Sequence, residues 1–261
     1  VKIGSLYAIQ WNACFAVEAN IEVLIGKMLM DKPSISSYLR EHLDDIVKKK
    51  EPGPYITISR QYGCDGLEFA NLLIERLNER CEEKKWKLYH KELLKQLAQD
   101  IGLAEEILEK ERVARPSLMK DFLRGLLKSN IPDGYEIRKS ITAMVRTVAF
   151  EGNAVIIGQG GTAATADLEN GISIRIEAPK EWRIARVCLR EQLSKDQASS
   201  RIDEIDGQRQ YLREMYEKQN SRLPAFNLLV DNSVFSKEQM VELVLFAMEQ
   251  KNLIPKQAPK K

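Results

Sequence analysis

The chain has 261 residues, of which 44% are hydrophobic and 30% charged, with 40 basic side chains against 38 acidic ones. This composition is typical of a soluble globular protein, and the net charge of +2 provides no basic footprint for duplex nucleic acid. Four cysteines stand without a CxxC pair and only two histidines are present, so no zinc-site spacing exists and no metal ligands are predicted. We expect reduced thiols and a cytoplasmic location.

Residues 1–50 predict an N-terminal helical hairpin. Apolar residues recur at spacings of four, three and four, as on one face of an amphipathic helix: Val17, Ile21, Leu24 and Met28. Pro33 ends this helix and a second begins near Ser34. Polar residues interrupt the stretch from 6 to 30 too often for a membrane span, so no membrane partner is predicted. The apolar face would pack on the core or against a second copy, which would make a homodimer.

After a linker at residues 51–54, Glu-Pro-Gly-Pro, short apolar segments alternate with helical ones. This alternation predicts a three-layer α/β/α domain with a five-stranded parallel sheet. The predicted strands are 55–59, 87–89, 153–157, 172–177 and 227–231. The predicted helical stretches are 67–82, 91–151, 180–192, 195–218 and 237–251. Ser236 with Gln239, and Ser194 with Gln197, indicate capped helix starts.

The first predicted strand runs into a glycine loop, defined here as residues 61–66. In parallel sheets ligands bind at the carboxyl ends of the strands, and the amides at the following helix start would point at an anion. Gly63 and Gly66 would allow close approach of the backbone. The loop lacks the lysine and hydroxyl of a usual phosphate-binding loop, because Gly66 and Leu67 stand in their place. A purely structural strand, turn and helix is the alternative.

Further segments occur in a fixed order after this loop. They are Leu-Tyr-His-Lys-Glu-Leu-Leu at 88–94, Glu-Gly-Asn-Ala-Val-Ile-Ile-Gly-Gln-Gly at 151–160, Ala-Pro-Lys-Glu-Trp-Arg-Ile-Ala-Arg-Val at 178–187, the polar helix around Arg201, Asp206 and Arg209, and Phe-Asn-Leu-Leu-Val-Asp-Asn-Ser at 226–233. Together with Ile-Ser-Arg-Gln-Tyr-Gly at 58–63, they resemble the bacterial cytidylate kinase-like family over residues 55–250.

Residues 251–261, which end in a lysine-rich run, are predicted to be a solvated basic tail. The resemblance implies a P-loop nucleoside monophosphate kinase fold at 55–250, with a helical insert at about 91–151 and a lid at about 194–222. It implies transfer of the ATP γ-phosphoryl group to a nucleoside monophosphate, CMP or dCMP, with ATP and Mg²⁺ as cofactors and nucleotides as partners. Guanidinium groups would neutralise the phosphoryl oxygens. Arg60 and Arg209 would act in catalysis. The ATP-binding residues would be Ser59, Arg60, Gln61, Gly63, Cys64, Asp65, Gly66 and Arg183. Those for the acceptor would be Gly158, Gln159, Gly160 and Asp206.

Three departures from the family pattern reduce positive charge: Asp65 replaces a usual glycine, and Leu67 and Gln159 replace usual arginines. Asp65 would repel phosphate, or would help to hold magnesium. Cys64, near a helix N-terminus, is a candidate for a lowered thiol pKa or a small loop-filling residue. His90 replaces a usual aspartate and is a candidate nucleotide contact or a structural residue.

Two alternative functions stay open from the sequence. A kinase-like domain without the loop lysine would act as a nucleotide sensor or interaction module. Residues 158–163 also fit the G-x-G-x-x-A pattern of a dinucleotide-binding protein, with Glu177 closing the next strand. Against that pattern, too few residues remain for a crossover helix.

Overall fold

The computed structural model describes residues 51–81, 84–102, 104–113, 133–217 and 226–256. The predicted hairpin at 1–50 and the end of the predicted tail, 257–261, lie outside this part of the chain. The proposed division into hairpin, linker, domain and tail therefore stays a prediction.

One sheet of five parallel strands forms the centre of the domain, in the order β2-β3-β1-β4-β5. The strands are β1 (Tyr55–Arg60), β2 (Lys87–Tyr89), β3 (Ala154–Ile157), β4 (Gly171–Glu177) and β5 (Leu228–Asp231). β1 lies between β3 and β4, with Tyr55 opposite Ala154 on one side and Gly171 on the other. Every side chain of β3 is buried, as a strand covered by helices on both faces requires. The predicted three-layer α/β fold is confirmed.

Eight helices accompany these strands in the described part of the chain. They are α1 (Gly66–Arg80), α2 (Glu92–Ile101), α3 (Glu105–Val113), α4 (Gly134–Glu151), α5 (Gly161–Ala164), α6 (Lys180–Glu191), α7 (Lys195–Glu217) and α8 (Lys237–Gln250). α1 and α8 share the largest buried cluster, in which Phe69 and Val244 pack with Ile56 of β1. None of these helices is long and apolar enough to cross a membrane.

Two helix starts have the caps that the sequence predicts. The Ser236 N–H donates to the Gln239 side-chain oxygen at 2.9 Å, and the Gln239 N–H donates to the Ser236 hydroxyl at 3.3 Å. The Ser194 N–H and the Gln197 side-chain oxygen form the same contact at the start of α7. Each exchange satisfies backbone donors that a helix start otherwise leaves without a partner.

Gly207 is a residue of low helix propensity in α7. It lies inside the helix, and a Cβ added there would meet no atom within 4 Å among the described residues. Gly207→Ala should therefore stabilise the protein by about 0.5–1 kcal/mol, because alanine loses less backbone entropy in a helix. Urea denaturation of both proteins measures this change. Lower stability of the variant would contradict the described surroundings of this residue.

Candidate functional site

A cleft of about 490 Å³ opens at the carboxyl ends of four strands. Its floor contains the residues that end or follow them, namely Arg60 and Gln61 at β1, His90 at β2, Gly158, Gln159 and Gly160 at β3, and Glu177 at β4. Its walls contain Arg112 from α3 and Asp206, Arg209 and Arg213 from α7. We call it the arginine cleft. Parallel sheets bind ligands at this edge.

Arg60 lies in the floor of the arginine cleft. Its Nη2 is 3.1 Å from Nε2 of His90, and its Nη1 lies over Gly158, where an added Cβ would be 2.6 Å away and would displace the guanidinium. No carboxylate of the described residues forms an ion pair with it. Burial, and then the guanidinium groups of Arg209, Arg112 and Arg175, lower the pKa of Arg60 to about 9. Since this value lies well above 7, Arg60 is a half-buried cation at neutral pH that an anionic ligand would stabilise.

The other arginines differ in how far carboxylates neutralise them. Arg112 is 7% exposed and donates to both carboxylate oxygens of Glu109, at 2.7 and 2.6 Å. Arg175 donates to Glu177 at 2.9 Å. Arg209 instead donates to the backbone carbonyl of Arg60 at 3.1 Å, and burial lowers its pKa. Of these four arginines, Arg60 and Arg209 therefore have no carboxylate of the described residues within ion-pair distance, although the nearby Asp206 carboxylate favours the charged form of Arg209.

The glycine loop lies beside this cleft, and of its residues only Gln61 lines it among those described. The Gln61 N–H of this loop donates to the Ile176 carbonyl at 3.0 Å. Four further backbone N–H groups of the loop also have protein acceptors: Tyr62 donates to Asp206 Oδ1 (2.7 Å), Cys64 to the Gln61 carbonyl (3.4 Å), Asp65 to Asn232 Oδ1 (3.1 Å) and Gly66 to the Cys64 carbonyl (2.9 Å). A Cβ at Gly63 would lie 3.0 Å from the Cβ of Arg183, because the loop packs directly on α6. In this conformation these four amides are not available to the phosphates of ATP.

Asp65 has an arginine partner. Its carboxylate forms an ion pair with Arg186, whose guanidinium also lies 4.7 Å from the centre of the Trp182 ring. Among the described residues no three His, Cys, Asp or Glu side chains cluster to hold a metal ion. In this conformation the Asp65 carboxylate is therefore neutralised by an arginine.

Cys64 is predicted from the sequence either to have a lowered thiol pKa or to be a small residue that fills the loop, and the structure supports the second interpretation. Burial raises the pKa of its thiol to about 12, and the nearby Arg183 guanidinium only partly opposes this effect. The hypothesis of a lowered pKa is wrong, because the side chain is buried under the loop and the carboxylates of Asp206 and Asp65 lie near it.

The turn after β3 brings Gly158, Gln159 and Gly160 into the cleft. All three have left-handed backbone conformations, with φ of 68°, 56° and 69°. The following helix, α5, has only four residues, and β1 lies between β3 and β4. The G-x-G-x-x-A segment therefore does not belong to the adjacent strand–helix–strand unit that binds dinucleotides.

The structure thus divides the predicted site residues into two groups. Those that line one cleft are Ser59, Arg60, Gln61, Gly158, Gln159, Gly160, Asp206 and Arg209. Those that lie outside it are Gly63, Cys64, Asp65, Gly66 and Arg183. Sequence reasoning missed Arg112 and Arg175. Arg175 had a signal, since it lies two residues before the carboxyl end of a predicted strand, whereas Arg112 is one charge among many on a polar helix.

Comparison with known proteins found one family and similar solved structures. The sequence model of the cytidylate kinase-like family matches residues 55–234. The structure of an uncharacterized protein from Eubacterium ventriosum is similar in fold at 21% identity, with a TM-score of 0.54 over 76% of this chain and 98% of that one. A Thermus thermophilus structure has 16% identity and a TM-score of 0.40 over the same shares of the two chains. No curated protein matches. Because the family match spans well over half of the sequence, the chain belongs to the cytidylate kinase-like family.

Proposed function

We propose that this kinase-like protein binds a nucleoside monophosphate in the arginine cleft and transfers the γ-phosphoryl group of ATP to it. The observation that carries the proposal is the pair of half-buried guanidinium groups of Arg60 and Arg209, neither of which has a carboxylate of the described residues within ion-pair distance. A phosphate dianion would neutralise both through charge-assisted hydrogen bonds. The volume of about 490 Å³ is in the range of small-molecule sites.

The contacts around these two arginines support a positioning role. The Arg60 carbonyl accepts from Arg209, and His90 lies beside the Arg60 guanidinium, so both side chains are held before a ligand arrives. Ser59 and Glu177 hold Arg175 in the same way. Phosphoryl transfer depends mainly on such positioning and on neutralised phosphoryl charge. ATP, when bound, would supply the phosphoryl group, with Mg²⁺ on its phosphate oxygens.

The acceptor that we propose is CMP or dCMP, on the basis of the family alone. Leu94, Val113 and Phe226 provide apolar surface in the cleft for a base. A cytoplasmic location would supply both nucleotides. A homodimer through residues 1–50 stays a prediction.

A second candidate function is nucleotide binding without transfer, as in a sensor. The occupied amides of the glycine loop and its missing lysine favour it, because both weaken the ATP site.

A coupled assay with ATP, Mg²⁺ and each nucleoside monophosphate distinguishes these functions. We expect turnover with CMP or dCMP. Thermal stabilisation by a nucleotide without turnover would support the sensor instead. Stabilisation by NAD alone would contradict both the kinase and the sensor functions and would support a dinucleotide-binding protein.

A further inference from the structure

The carboxylate of Asp206 lies where the glycine loop would hold an anion. Its Oδ1 accepts from the Tyr62 N–H at 2.7 Å, and its Oδ2 accepts from the Arg183 guanidinium at 2.6 Å. A loop amide beside an arginine is a donor pair that suits a phosphate oxygen. Arg183 is only 5% exposed, so these donors are shielded from water. The donors of an anion site are therefore in place, and the Asp206 carboxylate of the protein itself binds to them.

The same helix carries a residue of each nucleotide site. Asp206 contacts the glycine loop, and Arg209, three residues further along α7, donates to the Arg60 carbonyl in the arginine cleft. The apolar anchor of α7 lies earlier, where Ala198 and Ile202 pack on Val187. Ile202 is the last fully buried side chain among those described in α7. Beyond it, polar contacts such as those of Asp206 and Arg209 hold the helix at the site.

We infer that Asp206 is an internal competitor for the phosphates of the nucleotide donor. Tyr62 N–H and Arg183 form a site for one phosphoanhydride oxygen, and the site opens when α7 withdraws Asp206 from the glycine loop. The inference rests on the proposed function, since it concerns the ATP side of the same reaction. It also explains how a loop whose amides are occupied can belong to a nucleotide-binding fold. The phosphates of the nucleotide donor would replace the Asp206 carboxylate in the loop. Arg209 would move with Asp206, so the donor would rearrange the acceptor site as well.

Titration calorimetry with inorganic tripolyphosphate tests this exchange on the full chain. Asp206→Asn removes the competing charge and keeps the shape, so we expect tripolyphosphate to bind about tenfold more tightly than to the wild type. Asp206→Glu, which keeps the charge, should not show this gain. Asp203→Asn is the matched control on α7, because Asp203 is exposed and pairs with Lys180. Unchanged or weaker binding to Asp206→Asn would overturn the inference.

A kinetic measurement on the wild type keeps the test independent of the variant's folding. If α7 must move first, the observed rate of tripolyphosphate binding levels off as its concentration rises. Trp182, which lies beside Arg186 on α6, is a fluorescent reporter near the loop. A rate that rises in proportion to concentration throughout would contradict the exchange. If CMP binds the wild type while both tests fail, only the inference is wrong; if CMP does not bind either, the proposed function fails too.

Discussion

Arg60→Met should greatly weaken nucleoside monophosphate binding while raising the stability of the free protein. Methionine keeps the aliphatic part of the side chain, which packs near Gly66, and removes the charge. Loss of two charge-assisted hydrogen bonds to phosphate predicts a decrease in affinity of about 10²- to 10³-fold. Calorimetry with CMP and with each other monophosphate measures the loss.

The gain in stability follows from the lowered pKa of Arg60. Its folded-state value of about 9 lies below the ordinary value of 12.5, so the cationic form is disfavoured by folding at neutral pH. The free-energy cost of keeping Arg60 charged in the folded protein is fully present below about pH 9. This cost declines as the pH rises from there towards 12.5. At pH 7 the uncharged variant should therefore melt a few degrees higher, about 2–4 °C for each kcal/mol relieved.

Arg76→Met is the matched control for this prediction. Arg76 is exposed on α1, where it pairs with Glu79 along the helix, and it does not line the arginine cleft. Its replacement should change neither monophosphate affinity nor melting temperature by much. If Arg60→Met kept its affinity and lost stability, Arg60 would be a structural residue and the proposed function would lose its main support.

Arg183→Met should be strongly destabilising, in contrast to Arg60→Met. Arg183 is 5% exposed and donates to the carbonyls of Ala178 and Tyr62 as well as to Asp206. Removing the arginine leaves a largely buried carboxylate and two carbonyls without their donor. Breaking one partner of a buried pair predicts a loss of about 3–5 kcal/mol, measured by urea denaturation.

The control for Arg183 is Arg190→Met on the same helix. Arg190 has a side-chain exposure of 47% and pairs with its neighbour Glu191, so the loss should stay below about 1 kcal/mol. The double variant Arg183→Met with Asp206→Asn should cost less than the sum of the two single changes, because each single change leaves the other partner unsatisfied. Additive losses would show that the two residues do not stabilise the loop together.

The fold was predictable because its signals are local. Short apolar segments bounded by glycine and proline predict the strands, and Ser236 with Gln239 predicts a helix start within four residues of sequence. The cleft was predictable in outline, since the ends of parallel strands converge and Arg60, Gly158 and Glu177 each lie at such an end.

The state of the glycine loop was not predictable in this way. Its amides are occupied by Asp206 and Asn232, which are 144 and 167 residues away from Tyr62 and Asp65 in sequence. Whether a donor is free depends on where those distant side chains lie, and no local pattern contains that information. The raised pKa of Cys64 has the same origin, because burial by distant elements outweighs its place near a helix N-terminus.

Calorimetry on the wild-type protein that compares CMP with cytidine, which lacks the phosphate, tests directly whether the arginine cleft is a phosphate site. If Arg60 and Arg209 form a phosphate site, CMP should bind at least about 100-fold more tightly than cytidine, and Arg60→Met should remove most of this difference. Equal affinities of CMP and cytidine, or a difference that Arg60→Met leaves intact, would contradict the claim that the arginine cleft binds a nucleoside monophosphate through its phosphate.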